Sequence, residues 1–194
     1  MRKLLSTLVL LCLALPALHA QGRNEINLSI GGVSWEYAIK TAADDSYNDL
    51  YSLYEPHYVI SDGPVLTLDY HYRLNKVVCL GAELDYSNVQ GRSYYEIGGR
   101  QGQKFRTNVF AVLPQVKLRI PGAAHFRLYG KAAAGIRFVV TDLEEDLNNL
   151  SPVRFAWNIT PIGFEWGGNT VYGMVELCVG NVLMGGRIGV GFRF

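Results

Sequence analysis

Ionisable residues recur at every second position along several stretches of this sequence, a spacing that puts them on one side of an extended chain. Asp69, His71 and Arg73 form one such series, Glu83 and Asp85 a second, and Lys117 and Arg119 a third. Arg127, Lys131, Arg137, Glu176, Arg187 and Arg193 hold corresponding places further along. Acids and bases facing one another suit either a polar network that neutralises itself or the lining of a selective pore. A second grouping, His57, Ser61 and Asp62, has the residue types of a nucleophile, its base and an orienting carboxylate. Its spacing is not diagnostic, because triads are recognised by geometry. His71 and His125 lie on different segments without metal-ligand spacing, and there is no phosphate-binding glycine loop or Cys/His cluster. No cofactor or metal is expected.

The residues between these charges are apolar. Leu66, Leu68, Tyr70 and Tyr72 alternate with Thr67, Asp69, His71 and Arg73, and Phe126, Leu128, Ala132, Ala134, Ile136 and Phe138 alternate with Arg127, Tyr129, Lys131 and Arg137. A period of two predicts strands. Eight such segments follow one another: about 24–35, 64–74, 77–87, 105–120, 125–141, 153–166, 170–179 and the terminal strand to 194. Gly31-Gly32 is expected to form a bulge that turns Val33 and Trp35 onto the apolar face. Pro114 cannot donate a ladder hydrogen bond and marks an interruption or a bulge. Parity in the sixth segment is ambiguous around Pro161.

The connections alternate in length. Residues 75–76, 121–124 and 167–169 make short turns, 36–62, 88–104 and 142–152 make long loops, and a compact connection lies near 180–185. Antiparallel neighbours put the short turns at one end and the long loops at the other, as in outer-membrane barrels with short periplasmic turns. The fold expected is all-β, an eight-stranded antiparallel up-and-down transmembrane barrel. A soluble eight-stranded barrel would carry the same alternation with its faces exchanged. Three features favour the membrane form. Charged residues are 18% of the chain, against ~25% in soluble domains. Gly81, Gly135, Gly189 and Gly191 make room on the polar face. Aromatic residues (Trp35 and Tyr86 at one end, Tyr72, Trp166, Phe192 and Phe194 at the other) gather where girdles belong.

Residues 1–20 read as a secretory signal peptide: Arg2 and Lys3, an apolar run through Ala14, and cleavage after Ala20. Residues 21–194 then form one barrel domain. Without Arg2 and Lys3 the remainder has 16 Lys and Arg against 17 Asp and Glu, a balance that gives no reason to expect a nucleic-acid partner. Cys79 and Cys178 fall on opposite walls at different heights, so two free thiols are expected.

With the signal segment, the eight alternating strands, the one-sided turns and the final Gly191-Phe192-Arg193-Phe194, the chain resembles the small eight-stranded outer-membrane β-barrels of Gram-negative bacteria, the OmpA/OmpX-type architecture. The resemblance covers residues 22–194. Leu66-Thr67-Leu68-Asp69-Tyr70-His71-Tyr72-Arg73-Leu74 and Leu80-Gly81-Ala82-Glu83-Leu84 also resemble small barrels of the Bacteroides group. The resemblance implies residence in the outer membrane, contact with its lipids and lipopolysaccharide, and insertion by the barrel-assembly machinery, with Phe192 and Phe194 as the assembly signal. A monomer is expected, and no external ligand is identified.

Function is less legible, because a fold does not supply one. Asp69, His71, Glu83, Asp85, Lys117, Arg119, Arg127, Lys131, Arg137, Glu176 and Arg187 are expected to form a luminal network, with His71 part of its hydrogen bonding near Asp69. Arg187 and Arg193 need carboxylates, with Glu83, Asp85 and Glu176 as candidates. The first long loop places Leu50, Leu53 and Tyr54 at helical spacing, and Tyr47, Tyr51, Tyr54, His57 and Tyr58 are candidates for external contacts. A structural, surface-interaction or passive binding role without catalysis is expected. A narrow conduit for small or apolar molecules and lipid A modification through His57 are the alternatives.

Overall fold

The computed structural model describes residues 23–34, 57–94, 101–120, 126–143 and 153–194. They form nine strands: β1 (Asn24–Ser34), β2 (His57–Asp62), β3 (Val65–Arg73), β4 (Val78–Tyr94), β5 (Gln101–Ile120), β6 (Phe126–Leu143), β7 (Arg154–Gly167), β8 (Val171–Gly180) and β9 (Leu183–Arg193). Every pairing is antiparallel, and the circuit runs β1–β3–β4–β5–β6–β7–β8–β9 and back to β1. β2 pairs with the upper part of β4 and β3 with its lower part, so the two serve as one barrel strand broken at Gly63-Pro64. The result is a closed eight-stranded barrel. Closure removes the sheet edges, which is what lets strands cross lipid. The last strand finds its partner in the first: Asn24 and Phe194 exchange backbone hydrogen bonds of 2.9 Å.

The two faces are inverted relative to a soluble barrel. Along β3, Asp69 and His71 are fully buried while Leu68 and Tyr70 are more than 40% exposed. The outer wall is a belt of Leu, Ile, Val and Phe, with Tyr72, Trp166 and Phe192 exposed at the end with short turns. Charges inside and hydrocarbon outside are stable only where the surroundings are themselves apolar.

Two of the expected long loops are shorter than the hydrophobic pattern implies. Residues 57–62 form a ladder with β4 (His57↔Tyr94 to Asp62↔Val89) and are not loop. β4 and β5 continue pairing to Tyr94↔Gln101, well into the stretch 88–104. β5 has 20 residues, against the roughly 9–11 that a tilted strand needs to span a bilayer. Above the hydrocarbon no face has to be greasy, so the period-two signal fades while the ladder goes on. A sheet of β2, β4, β5 and β6 therefore rises beyond the membrane-spanning body.

Two irregularities set which residues point inward. The β1–β9 register shifts between Gly31 and Val33. Gly32 has φ of +66°, and a Cβ there would lie 1.9 Å from Leu183 Cδ1, so glycine is required on both counts. Val33 emerges on the outside, as the glycine pair predicts. In β7 the shift lies at Thr160-Pro161-Ile162. Ala156, Asn158 and Thr160 face inward before it, Gly163 and Glu165 after it. Pro114 causes no shift: Val112↔Ile136 and Gln115↔Ala133 keep one register across it. Cys79 and Cys178 are free and buried.

Placing a charge on the mid-strand outer wall tests the inverted faces. Leu68→Arg is expected to lower unfolding free energy in lipid vesicles by about 2–4 kcal/mol, the cost of Arg near the bilayer midplane. Urea titration of vesicle-inserted protein would measure it, and a loss near zero would contradict a lipid-facing Leu68.

Candidate functional site

Inward positions near the short turns build the first cluster, with Glu25 at its centre. Arg73 Nη2 donates to Glu25 Oε1 at 2.8 Å and Arg193 Nε to the same oxygen at 2.9 Å. Arg119 Nη2 donates to both carboxylate oxygens, and Lys117 Nζ is 3.7 Å from Oε2. Four cationic side chains thus meet one fully buried carboxylate. Glu165, on β7, accepts from Lys117 and Arg193 and lies 3.5 Å from Arg119. Register explains the meeting: Glu25 pairs across the ladders with both His71 and Arg193, and Arg127 pairs with Glu165.

A second cluster fills the middle of the barrel. Lys131 Nζ lies 3.1 Å from Asp69, 2.9 Å from Glu83 and 3.4 Å from Glu176. Arg187 donates from Nη2 to Glu83 at 3.2 Å, from Nε to Glu176, and from Nη1 to Thr67 Oγ1 at 3.1 Å. The Thr67 hydroxyl in turn donates to Asp85 Oδ1. Gln115 donates to Asp69 at 2.8 Å, Asn158 to Glu83 at 2.7 Å, and the Tyr129 hydroxyl to Glu176 at 2.6 Å. Among the described residues, six acids (Glu25, Asp69, Glu83, Asp85, Glu165, Glu176) and six Lys or Arg are buried. Desolvated charges are tolerable only when paired and hydrogen-bonded in this way.

Two tyrosines pack the polar interior against glycine. Tyr129 lies over Gly163 and Tyr172 over Gly191, where a Cβ would sit 2.4 and 2.2 Å from the ring. Lys117 Nζ lies 4.0 Å from the Tyr129 centroid and Arg193 Cζ 3.7 Å from that of Tyr172, so each ring also faces a cation. Toward the long-loop end apolar side chains join the filling, Ala111, Leu113, Ala133, Ala156 and Val182 in one group and Val65, Cys178 and Leu183 in another, beside buried Asp85, Ser87, Thr107 and Arg137. The β8–β9 turn holds this layer down. Asn181 accepts from Trp157 N at 2.8 Å, donates to Phe155 O at 3.0 Å, and offers its carbonyl to Arg137 Nη1 at 2.7 Å.

Asp69, Glu83, Lys117, Arg119, Lys131, Glu176 and Arg187 converge in the interior, and Asp85 joins them only through Thr67. Three expectations need correction. His71 is fully buried, but neither ring nitrogen has a hydrogen-bond partner, so it does not pair with Asp69. Gln115 and Lys131 take the Asp69 Oδ1 position instead. Arg127 sits half-buried at the rim and donates to Asn169 Oδ1 at 3.1 Å. Arg193 pairs with Glu25 and Glu165, and not with Glu83, Asp85 or Glu176.

Glu25 and Glu165 are the acids that sequence reasoning missed. Glu25 was within reach, since it alternates with Ile26, Leu28 and Ile30. Glu165 was hidden by the bulge at Pro161. Tyr47, Tyr51 and Tyr54, with the expected loop helix, lie outside the described residues. His57 and Tyr58 belong to β2 rather than to a loop. Among the described residues no group of three His, Cys, Asp or Glu is placed to hold a metal ion.

Residues 5–173 match the family described as Outer membrane protein beta-barrel domain. No curated protein matches the chain. Among solved structures it is similar to the N-terminal β-barrel domain of Pseudomonas aeruginosa OprF, with 15% identity, a TM-score of 0.46, and 90% of this chain and 100% of that one covered. It is also similar to the Yersinia pestis outer membrane protein Ail, with 16% identity, a TM-score of 0.39, and coverage of 88% and 99%.

Glu25→Gln keeps the shape and removes the charge that four cations share. It is expected to destabilise the barrel by about 3–5 kcal/mol, the cost of leaving buried charge uncompensated. Denaturant unfolding in detergent would measure this, and a loss under about 1 kcal/mol would show that Glu25 is not the centre of the cluster.

Proposed function

This chain belongs to the outer membrane protein β-barrel family, and from that premise we propose that it is a non-conducting, non-catalytic barrel with a structural and surface-interaction role. One observation carries the reading: the interior is occupied along its length. Two ion-pair clusters fill the lower and middle lumen, and Leu113, Val182 and Leu183, each no more than 2% exposed, fill the part above. An eight-stranded interior is about wide enough for its own side chains. A hydrated ion or solute would have to break salt bridges to pass. The sheet of β2, β4, β5 and β6, standing beyond the membrane-spanning body, is the part presented to external partners. Lipopolysaccharide is the partner proposed at the outer surface. The chain is proposed to reach the membrane through a cleaved signal, with residues 1–20 removed, and to work as a monomer.

Planar-bilayer recordings of the refolded protein are expected to show no discrete conductance steps above the lipid baseline. Reproducible steps in the intact chain would overturn the closed-lumen reading. For catalysis, mass spectra of lipid A from cells with and without the protein are expected to coincide. A difference abolished by His57→Ala would establish the enzyme alternative.

Phe194 is proposed as the signal read by the assembly machinery. Its backbone also closes the barrel against Asn24. Deleting Phe194 is expected to lower the amount of chain in the outer membrane several-fold while protein refolded in detergent keeps its melting temperature within a few degrees. Unchanged membrane levels would contradict a role in assembly.

A further inference from the structure

The two ends of the barrel differ in charge. On the strand ends and turns nearest the periplasm (residues 23–27, 71–81, 117–120, 126–129, 163–174 and 191–194) the acids are Glu25 and Glu165. The neighbouring connection 121–125 carries none. Against these two carboxylates stand four cations in direct contact with them, Arg73, Lys117, Arg119 and Arg193. Arg23 and Lys76 are exposed at the same end, and Arg127 is half-buried at the rim. In the sequence of the segments that join the strands on the other side, residues 36–56 hold Glu36, Asp44, Asp45, Asp49 and Glu55 against Lys40 and residues 144–152 hold Glu144, Glu145 and Asp146, while residues 88–106 hold Arg92, Arg100, Lys104 and Arg106 against Glu96.

A surplus of two positive charges in a largely buried cluster is costly unless an anion joins it. The donors for one are present. Arg119 is 6% exposed and its Nε has no hydrogen-bond partner, and Arg73 Nε also lacks one. The Arg73 side chain is 30% exposed, so the cluster opens to the periplasmic side. Three guanidinium groups, those of Arg73, Arg119 and Arg193, converge on the single carboxylate of Glu25 and are therefore close to one another. Planar guanidinium forks bind phosphate oxygens in pairs, which a single ammonium cannot do.

We propose that the periplasmic mouth of this barrel is an anion site for a phosphate group, supplied by a phospholipid headgroup or by free phosphate. Lys76 stands in a turn between Leu74 and Val77, which are 54% and 41% exposed, and Phe126 beside Arg127 is 49% exposed. Apolar side chains flanking cations in this way mark the depth at which lipid phosphates lie. The site is independent of whether the lumen conducts.

The test uses the full barrel purified in a phosphate-free, uncharged detergent. Inorganic phosphate is titrated by calorimetry, and lipid retained through purification is read by native mass spectrometry. The expected result is saturable phosphate binding that weakens about tenfold in Lys76→Gln and more in Arg73→Gln, each charge-assisted contact being of that order, while Arg154→Gln at the external end changes nothing. Retained phospholipid that is lost in the same variants identifies a headgroup as the source. Phosphate binding without retained lipid identifies free phosphate. Should Arg73→Gln fail to fold, Lys76→Gln, altered only at an exposed turn, still decides. Absence of both phosphate binding and retained lipid, or equal binding by wild type and Lys76→Gln, overturns the proposal.

Discussion

The interior of an eight-stranded barrel in a membrane has to solve its electrostatics by itself. Lipid surrounds the wall, so inward charges are stabilised mainly by other inward side chains. Glu25 shows how far this goes, with Arg73, Arg119, Arg193 and Lys117 brought from three other strands onto one carboxylate. Lys131 plays the reverse part in the middle, drawing together Asp69, Glu83 and Glu176. Through these two hubs the walls are tied across the lumen as well as along their ladders. The sheet provides closure, and the ion pairs give the closed sheet a specific filling.

Which charges meet depends on register, and register depends on a few residues with no charge at all. The Gly31-Gly32 shift lets Leu183 drop into the lumen, where with Val65 and Cys178 it helps replace polar filling by apolar filling. The shift at Pro161 turns Glu165 inward on the same wall where Asn158 and Thr160 already face inward. Without that change of parity Glu165 would face lipid, and Lys117 and Arg193 would lose a partner. A one-residue slip in a strand exchanges its faces, so these bulges determine the network as much as its charged members do.

The membrane-crossing parts were legible because lipid enforces alternation there. Leu66 to Arg73 and Phe126 to Phe138 read directly as strands with one greasy and one polar face. Beyond the hydrocarbon, Asn88 to Tyr94 and His57 to Asp62 stay in the ladder without that enforcement, and composition made them look like loop. The charged set at the site was legible for the same reason as the strands, with Glu165 concealed by a bulge. Partners were not legible. Arg193 was assigned carboxylates on the correct face but in the wrong layer, and His71, two residues from Asp69, lies on the same face with no hydrogen bond to it.

Periodicity and composition alone determined the architecture, the inverted faces, and most of the charged residues that lie inside, Glu25 and Glu165 excepted. These follow from local geometry, since side chains alternate along any strand and lipid accepts only one kind of face. The pairing of charges, the entry of apolar side chains into the filling above them, and the gathering of cations at the short-turn end were decided by the closed barrel. They depend on shear and bulges, which bring residues up to 168 positions apart, such as Glu25 and Arg193, into contact. A sequence carries no local signal for such a distance.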